Sequence, residues 1–296
     1  MGGMTMNAIE IRDLRVQQGH FDLVIDALDI PEGYITGLIG ENGAGKTSLI
    51  YQLLNLRTPE TGTIRMLGMD YRTDRAKILA EIGIVFSENH FPEWMSPKKL
   101  EALFKMNYSE WQHETYMRYL KQFDIPYHQK IKTFSQGMKV KLNLAAALSH
   151  NARLLILDEP TSNLDPTFRL ELLHIFQELM LEETRTILFS THITSDLENI
   201  ADYIAFIEAG RLAVMDEKEQ LTRKYQIVRG RDVLLDDELD QLLIGSEIRD
   251  GSFVSMTEAG RTFEELFGNK VNVRNITIDE FMYFRKQERK GEGLHV

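Results

Sequence analysis

The stretch Gly40-Glu41-Asn42-Gly43-Ala44-Gly45-Lys46-Thr47 fits the pattern G-x-x-x-x-G-K-[ST]. Its flanks agree with that pattern. Tyr34-Ile35-Thr36-Gly37-Leu38-Ile39 reads as a short buried strand running into the loop, and Ser48-Leu49-Ile50-Tyr51-Gln52-Leu53-Leu54 as the helix leaving it. A phosphate chain needs many donors close together. Glycines let successive backbone N–H groups turn inward, and the helix N-terminus adds partial positive charge. Lys46 is placed to reach β- and γ-phosphates, and the Thr47 hydroxyl to ligate Mg²⁺. The blander reading is a glycine-rich turn, which the strand–loop–helix context disfavours. By itself the loop says only that a nucleoside triphosphate binds.

The 296 residues suffice for one large α/β domain plus a small appendix, or for two modest domains. Hydrophobic residues at 43% and charged residues at 27% describe an ordinary globular chain. A formal net charge of -11 argues against a basic nucleic-acid groove and against general adhesion to anionic lipid. With no cysteine, disulfides and thiolate chemistry are excluded, and a cytosolic setting is favoured. No apolar run approaches the roughly 18 residues of a membrane span. Met1 to Met6 carry no signal-peptide apolar region.

Residues 7–39 read as an antiparallel opening, with alternation in Ala8-Ile9-Glu10-Ile11-Arg12 and, less strictly, in Phe21–Leu28. Thr63–Met66 and Ile82–Phe86 are further strands. From about Met95 to Leu148 the spacing turns helical, as in Leu100-Leu103-Phe104 and Tyr116-Tyr119-Leu120-Phe123, which predicts an inserted helical subdomain over about 88–150. Within it, Phe134-Ser135-Gln136-Gly137-Met138-Lys139 begins a helix. Leu154-Leu155-Ile156-Leu157-Asp158-Glu159 is an apolar strand that delivers two carboxylates at its C-terminal end, where doubly wound sheets place their chemistry. Ser162-Asn163-Leu164-Asp165-Pro166 turns into another helix. Thr186–His192 is a strand ending in histidine, and 203–207 with 211–214 form a hairpin. After Tyr225 the pattern predicts an α+β appendix. Its strands lie near Ile227, Phe253–Ser255 and Val271–Arg274. Its helices lie over Glu238–Leu243, Glu258–Phe267, and from a Thr277 N-cap toward Lys290.

In this order the motifs resemble the ATP-binding subunit of ABC transporters: phosphate loop, helical insert, signature, acidic strand end, D-loop and switch histidine. The resemblance covers about residues 7–222 and is most like bacterial drug- and peptide-exporter ATPases of the bacitracin- and lantibiotic-immunity kind. It implies an α/β P-loop NTPase of the ABC type, with a mixed sheet core, an antiparallel β subdomain and the inserted helices, over residues 1–224. Residues 225–296 form a C-terminal accessory domain. It also implies roles. Gly40, Glu41, Asn42, Gly43, Ala44, Gly45, Lys46, Thr47 and Ser48 hold the phosphates of ATP. Thr47 and Asp158 hold Mg²⁺, the latter through water. Glu159 polarises the attacking water, a contribution of roughly 10²–10⁴-fold, and His192 contacts the γ-phosphate. Ser135 and Gly137 contact ATP bound to the other protomer, and Asp165 signals across the dimer. The implied partners are transmembrane permease subunits and an identical or different ABC ATPase, at the cytoplasmic face of the membrane, with no nucleic acid. The rival reading is a non-transport ABC ATPase acting on ribosomes or DNA. It is weakened by a single motif set and the lack of sustained heptads.

The chain departs from the family in places. Ser87 stands where a lid glutamine is usual, beside Glu88. Gln18 stands where an adenine-stacking aromatic is usual. Phe21 lies nearby, but its alternation points it toward the core. Gln136 and Met138 replace the commoner glycine and glutamine of the signature. Asp165 before Pro166 also reads as a helix cap. Trp94 and Phe91 read equally as local packing or as an exposed platform for a membrane partner. Trp111 and the aromatic face over 116–123 read as core, and Asp236-Asp237-Glu238 as solvated.

Overall fold

The structure is a computed structural model and describes residues 6–56, 59–86, 90–162, 164–181 and 185–292. It divides into two units, Met1–Ile193 with Ile200–Met215, and Thr194–Asn199 with Asp216–Val296.

The first unit opens on two long strands, β1 (Asn7–Gln18) and β2 (Phe21–Pro31), paired antiparallel from Gln18↔Phe21 to Asn7↔Pro31. Alternation turns Ile9, Ile11, Leu23 and Ile25 inward, and all four are fully buried. Next come β3 (Ile35–Ile39), α1 (Lys46–Leu53), β4 (Thr61–Met66), β5 (Met69–Asp70), α2 (Arg75–Glu81) and β6 (Ile82–Val85). The helical stretch contains α3 (Pro97–Asn107), α4 (His113–Gln122) and α5 (Gln136–Ala147). The chain returns through β7 (Leu154–Asp158), α6 (Pro166–Met180), β8 (Thr186–Ser190), α7 (Thr194–Ile200), β9 (Tyr203–Glu208) and β10 (Arg211–Glu217).

Ten strands form one mixed sheet, β5-β4-β1-β2-β10-β9-β3-β8-β7-β6. Strand β3 runs parallel to β8 and β9, and β7 parallel to β6 and β8. β3, β7 and β8 are buried at every position, so they read as unbroken apolar runs rather than alternating ones. Register carries the chemistry: Leu38 lies opposite Ser190, and Ser190 opposite Asp158. The loops leaving β3, β7 and β8 therefore emerge side by side at the carboxyl edge.

The inserted helices pack on aromatic rings, as their spacing predicts. Tyr116 and Phe123 are buried, Trp111 stacks on Phe104 at 4.8 Å, and Phe123 meets Phe168 edge-on at 5.1 Å. Glu101 is buried here too, and Tyr127, His113, Lys105 and Trp111 all converge on its carboxylate.

The second unit contains α8 (Lys218–Lys224), β11 (Gln226–Arg231), α9 (Asp237–Asp240), β12 (Ile244–Arg249), β13 (Ser252–Thr257), α10 (Gly260–Phe267), β14 (Asn272–Asn275) and α11 (Ile278–Glu292). Its sheet is antiparallel in the order β12-β13-β11-β14, over a core of Val228, Leu239, Phe253 and Phe263. The helix expected over 238–243 is a single turn, capped by Asp236, which accepts from the Leu239 N–H at 2.9 Å. Residues 241–243 form a turn that leads into β12, a strand without clear alternation. Thr277 begins α11 through a reciprocal capping box. The Glu280 N–H donates to Thr277 Oγ1 at 3.2 Å, and the Thr277 N–H to Glu280 Oε2 at 3.1 Å.

Candidate functional site

The loop between β3 and α1 has the shape its glycines require. Gly40 has φ +156, and a Cβ there would lie 2.2 Å from the carbonyl oxygen of Ile207. Gly45 has φ +117, and a Cβ there would press on the Phe21 ring at 3.0 Å. The Lys46 side chain turns back across the loop. Its ammonium donates to the carbonyls of Gly40 at 2.8 Å and Glu41 at 3.2 Å. Burial lowers the Lys46 pKa, while the carboxylates of Glu159 and Asp158 act in the opposite direction.

Asp158 ends β7, buried, and accepts from Ser190 Oγ at 2.7 Å. Thr47 Oγ1 lies 3.4 Å from the same carboxylate oxygen. Two hard oxygens this close fit a shared Mg²⁺, with Thr47 as a direct ligand and Asp158 holding the ion through water. Such an ion takes its remaining ligands from water and phosphate.

Glu159 follows in the left-handed region, at φ +51. A non-glycine residue held there costs on the order of 1–3 kcal/mol, and such strain collects at functional sites. The conformation is held by its own N–H, which donates to the carbonyl of Ser190 at 3.0 Å and faces Ser190 Oγ at 3.3 Å. The result turns the side chain toward the cavity. Glu159 Oε1 lies 3.8 Å from Lys46 Nζ, and Oε2 lies 2.6 Å from His192 Nδ1.

Lys46, Thr47, Glu159 and His192 line one cavity of about 580 Å³, together with Asn42, Gly43 and Ser48. Gln18 and Phe21 line it as well. Phe21 packs partly on the core, as its alternation implies, and also faces the cavity. The Gln18 carboxamide accepts from Ser48 Oγ at 3.4 Å, while its buried Nε2 has no partner among the described residues. Ser190, which bonds the Asp158 carboxylate and the Glu159 backbone N–H, carried no role in the sequence reading. Its only signal was its place two residues before His192.

Ser135 and Gly137 do not line this cavity. Ser135 caps α5, accepting from the Met138 N–H at 3.2 Å. Asp165 caps α6 by accepting from the Phe168 N–H at 3.0 Å, with Pro166 at the first turn. That bond, and then the charge of Lys141, hold its carboxyl below the usual range. Lys141 also lies over the Phe168 ring at 3.9 Å, so the helices begun by Ser135 and Asp165 touch. Ser87 and Glu88 lie outside the described residues.

Comparison with known proteins places the chain in a family. The ABC transporter family profile matches residues 25–162. The bacitracin transport ATP-binding protein BcrA of Enterococcus faecalis is 33% identical over 225 residues, covering 73% of this chain and 72% of BcrA. The chain belongs to the ABC transporter ATP-binding family. Another ABC relative, the ATP-binding protein YdbJ of Bacillus subtilis, is 32% identical over 63% of the chain, and the match spans 61% of YdbJ's own length. Solved structures share the ABC fold. One ATP-binding subunit of an ABC transporter superposes with a TM-score of 0.66 at 24% identity, covering 73% of this chain and 92% of its own. A dimeric, post-hydrolysis ATP-binding cassette bound to ADP and Pi superposes with a TM-score of 0.63 at 17% identity, covering 71% of this chain and 98% of its own. Among the described residues of this ABC protein, no helix is long and apolar enough to cross a membrane.

Proposed function

We propose that this chain is the ATP-hydrolysing subunit of an exporter. It closes as a dimer on ATP and powers the movement of a drug, peptide or similar substrate through separate membrane subunits. The observation that carries the reading is the convergence of Lys46, Thr47, Glu159 and His192 on one cavity, with Asp158 beside Thr47. Phosphoryl transfer asks little covalent chemistry of a protein. It asks for positioning and for charge around the transferred group. The loop from Gly40 to Ser48 binds the phosphates, with Lys46 on the β- and γ-groups. Thr47 and Asp158 hold Mg²⁺, which neutralises phosphate charge when bound. Glu159 accepts hydrogen from the attacking water and orients it. Lys46 Nζ faces one oxygen of the glutamate at 3.8 Å, and His192 keeps the other aimed.

One copy leaves the γ-phosphate half surrounded. Ser135 and Gly137, at the exposed start of α5, are away from the chain's own cavity. Their helix N-terminus suits an anion, and a second ATPase, identical or different, brings it to the nucleotide. ATP then binds the closed dimer better than the open one, and that difference drives the conformational change. The relative BcrA, named for bacitracin transport, supports the exporter class. A structural neighbour described as part of an ABC transporter complex supports separate membrane subunits, and with them a place on the inner face of the membrane. Trp94, 60% exposed, stands near Phe91, which with Phe86, Phe104 and Tyr108 lines a smaller apolar cleft. This surface suits a short helix of such a partner.

The test is purification of tagged Glu159→Gln chain from detergent-solubilised cells with ATP present. A multi-helix membrane protein in stoichiometric amount is the expected companion. A second, different ATPase would make the dimer heteromeric. Ribosomal proteins or nucleic acid in its place would overturn the exporter reading.

A further inference from the structure

Ser190 ends β8, the strand that lies between β3 and β7, and it sits opposite Leu38 on one side and Asp158 on the other. It follows Ile187, Leu188 and Phe189, and all four residues are fully buried. A hydroxyl in such a run costs free energy unless it is hydrogen-bonded. Serine is therefore a poor choice here for packing alone.

The residue divides its polar groups between two neighbours. Its hydroxyl donates to Asp158 Oδ1 at 2.7 Å, the oxygen that also lies 3.4 Å from Thr47 Oγ1. Its carbonyl accepts the Glu159 N–H at 3.0 Å, and that N–H also faces Ser190 Oγ at 3.3 Å. The hydroxyl bond is short and runs to a carboxylate in a buried place, where such bonds are strong. It fixes which way the Asp158 carboxylate turns. The carbonyl bond belongs to the backbone and survives a change of side chain. The Thr191 N–H donates to the Leu38 carbonyl at 3.3 Å, which ties the same end of β8 to the strand feeding the phosphate loop.

We propose that the Ser190 hydroxyl is a positioning group for the metal site. By holding Asp158 beside Thr47 it sets how tightly the nucleotide site takes Mg²⁺. The Ser190 carbonyl separately keeps Glu159 in its left-handed turn. Hydrogen-bond partners of metal-holding carboxylates commonly contribute roughly 10–100-fold to metal affinity or activity. The inference rests on the ATPase reading above.

The test uses the full chain and follows the dependence on MgCl₂ of two quantities. One is ATP turnover. The other is binding of a fluorescent ATP analogue, measured in the Glu159→Gln background so that nucleotide is not consumed. For Ser190→Ala, the Mg²⁺ concentration at half-maximal effect should rise about tenfold in both. Turnover at saturating Mg²⁺ should stay within about threefold of wild type, and nucleotide affinity without Mg²⁺ within about twofold. Ser190→Thr keeps the hydroxyl and should keep the wild-type midpoint. Should Ser190→Ala fail to fold, Ser190→Cys, of similar size but with only a weak donor, gives the same test. An unchanged Mg²⁺ dependence with a lowered unfolding temperature would overturn the proposal. So would a loss of turnover that is equal at every Mg²⁺ concentration, since the hydroxyl would then act on Glu159. A wild-type chain without Mg²⁺-dependent turnover would instead sink the ATPase reading itself.

Discussion

His192 Nδ1 and Glu159 Oε2 are 2.6 Å apart, although the two residues are 33 positions apart in the chain and leave different strands. The pair exists because β7 and β8 are parallel neighbours, with Asp158 opposite Ser190, so that the next residues of both strands meet. Glu159 makes this pair from a left-handed backbone conformation, at φ +51.

Glu159→Gln removes the base while keeping the side chain's size. We expect turnover to fall by at least about 100-fold, the lower end of what a positioned base supplies, with ATP binding kept. Phosphate release and fluorescent-ATP titration measure the two separately. Turnover near that of wild type would refute the assignment of the base.

Glu101 bears on stability and its pH dependence. Burial alone would raise its pKa, but hydrogen bonds from Tyr127, His113, Lys105 and Trp111 outweigh it and bring the value from the ordinary 4.5 to about 2. A carboxyl depressed in the folded state stabilises the fold above its unfolded pKa, and the benefit is lost as pH falls through the folded value. The stabilisation, on the order of 3 kcal/mol, is therefore complete at neutral pH and fades from about pH 4.5 toward pH 2. Glu101→Gln should lower the unfolding temperature by several degrees at pH 7, and the gap to wild type should narrow as pH is lowered below 4.5. A gap that stays constant with pH would mean that the charge of Glu101 contributes nothing.

Gln18 stands at the cavity with a buried Nε2 that has no partner among the described residues, and it offers no ring to lie against a base. Gln18→Tyr should tighten ATP by about fivefold or more, since stacking a base on an aromatic ring is worth roughly 1–3 kcal/mol. Titration with fluorescent ATP and GTP would show it. Affinities unchanged in the tyrosine variant would place the base elsewhere.

Gly40 and Gly43 separate conformation from crowding. At Gly43, φ is +82 and an added Cβ would meet nothing within 4 Å, so alanine there should cost only left-handed strain, roughly 1–2 kcal/mol. At Gly40 the same Cβ would overlap the Ile207 carbonyl oxygen. Gly40→Ala should therefore lower the nucleotide-free unfolding temperature further than Gly43→Ala. Equal effects would argue that the loop shifts freely away from Ile207.

The sequence alone determined the parts whose physics is contiguous. Gly40–Thr47 carries its donors, its glycines and its lysine within one loop. The run from Leu154 to Glu159 announces a buried strand and its terminal carboxylates, because both faces of that strand are covered. The capping box of Thr277 and Glu280 is likewise local, and the start of α11 was legible from Thr277. Tertiary structure decided whatever depends on partners distant in the chain. β12 shows no alternation over Ile244–Arg249 and exists by pairing with β13. Phe21 reads as core by its period, yet the curl of the loop at Gly45 brings its ring to the nucleotide cavity. Ser190 became the brace of Asp158 and Glu159 only through the register of β7 with β8. The grouping of Thr194–Asn199 with the C-terminal unit was equally hidden. It rests on bonds to Asp279 and Ile278, some 80 residues further along the chain, and no local pattern reports a partner at that separation.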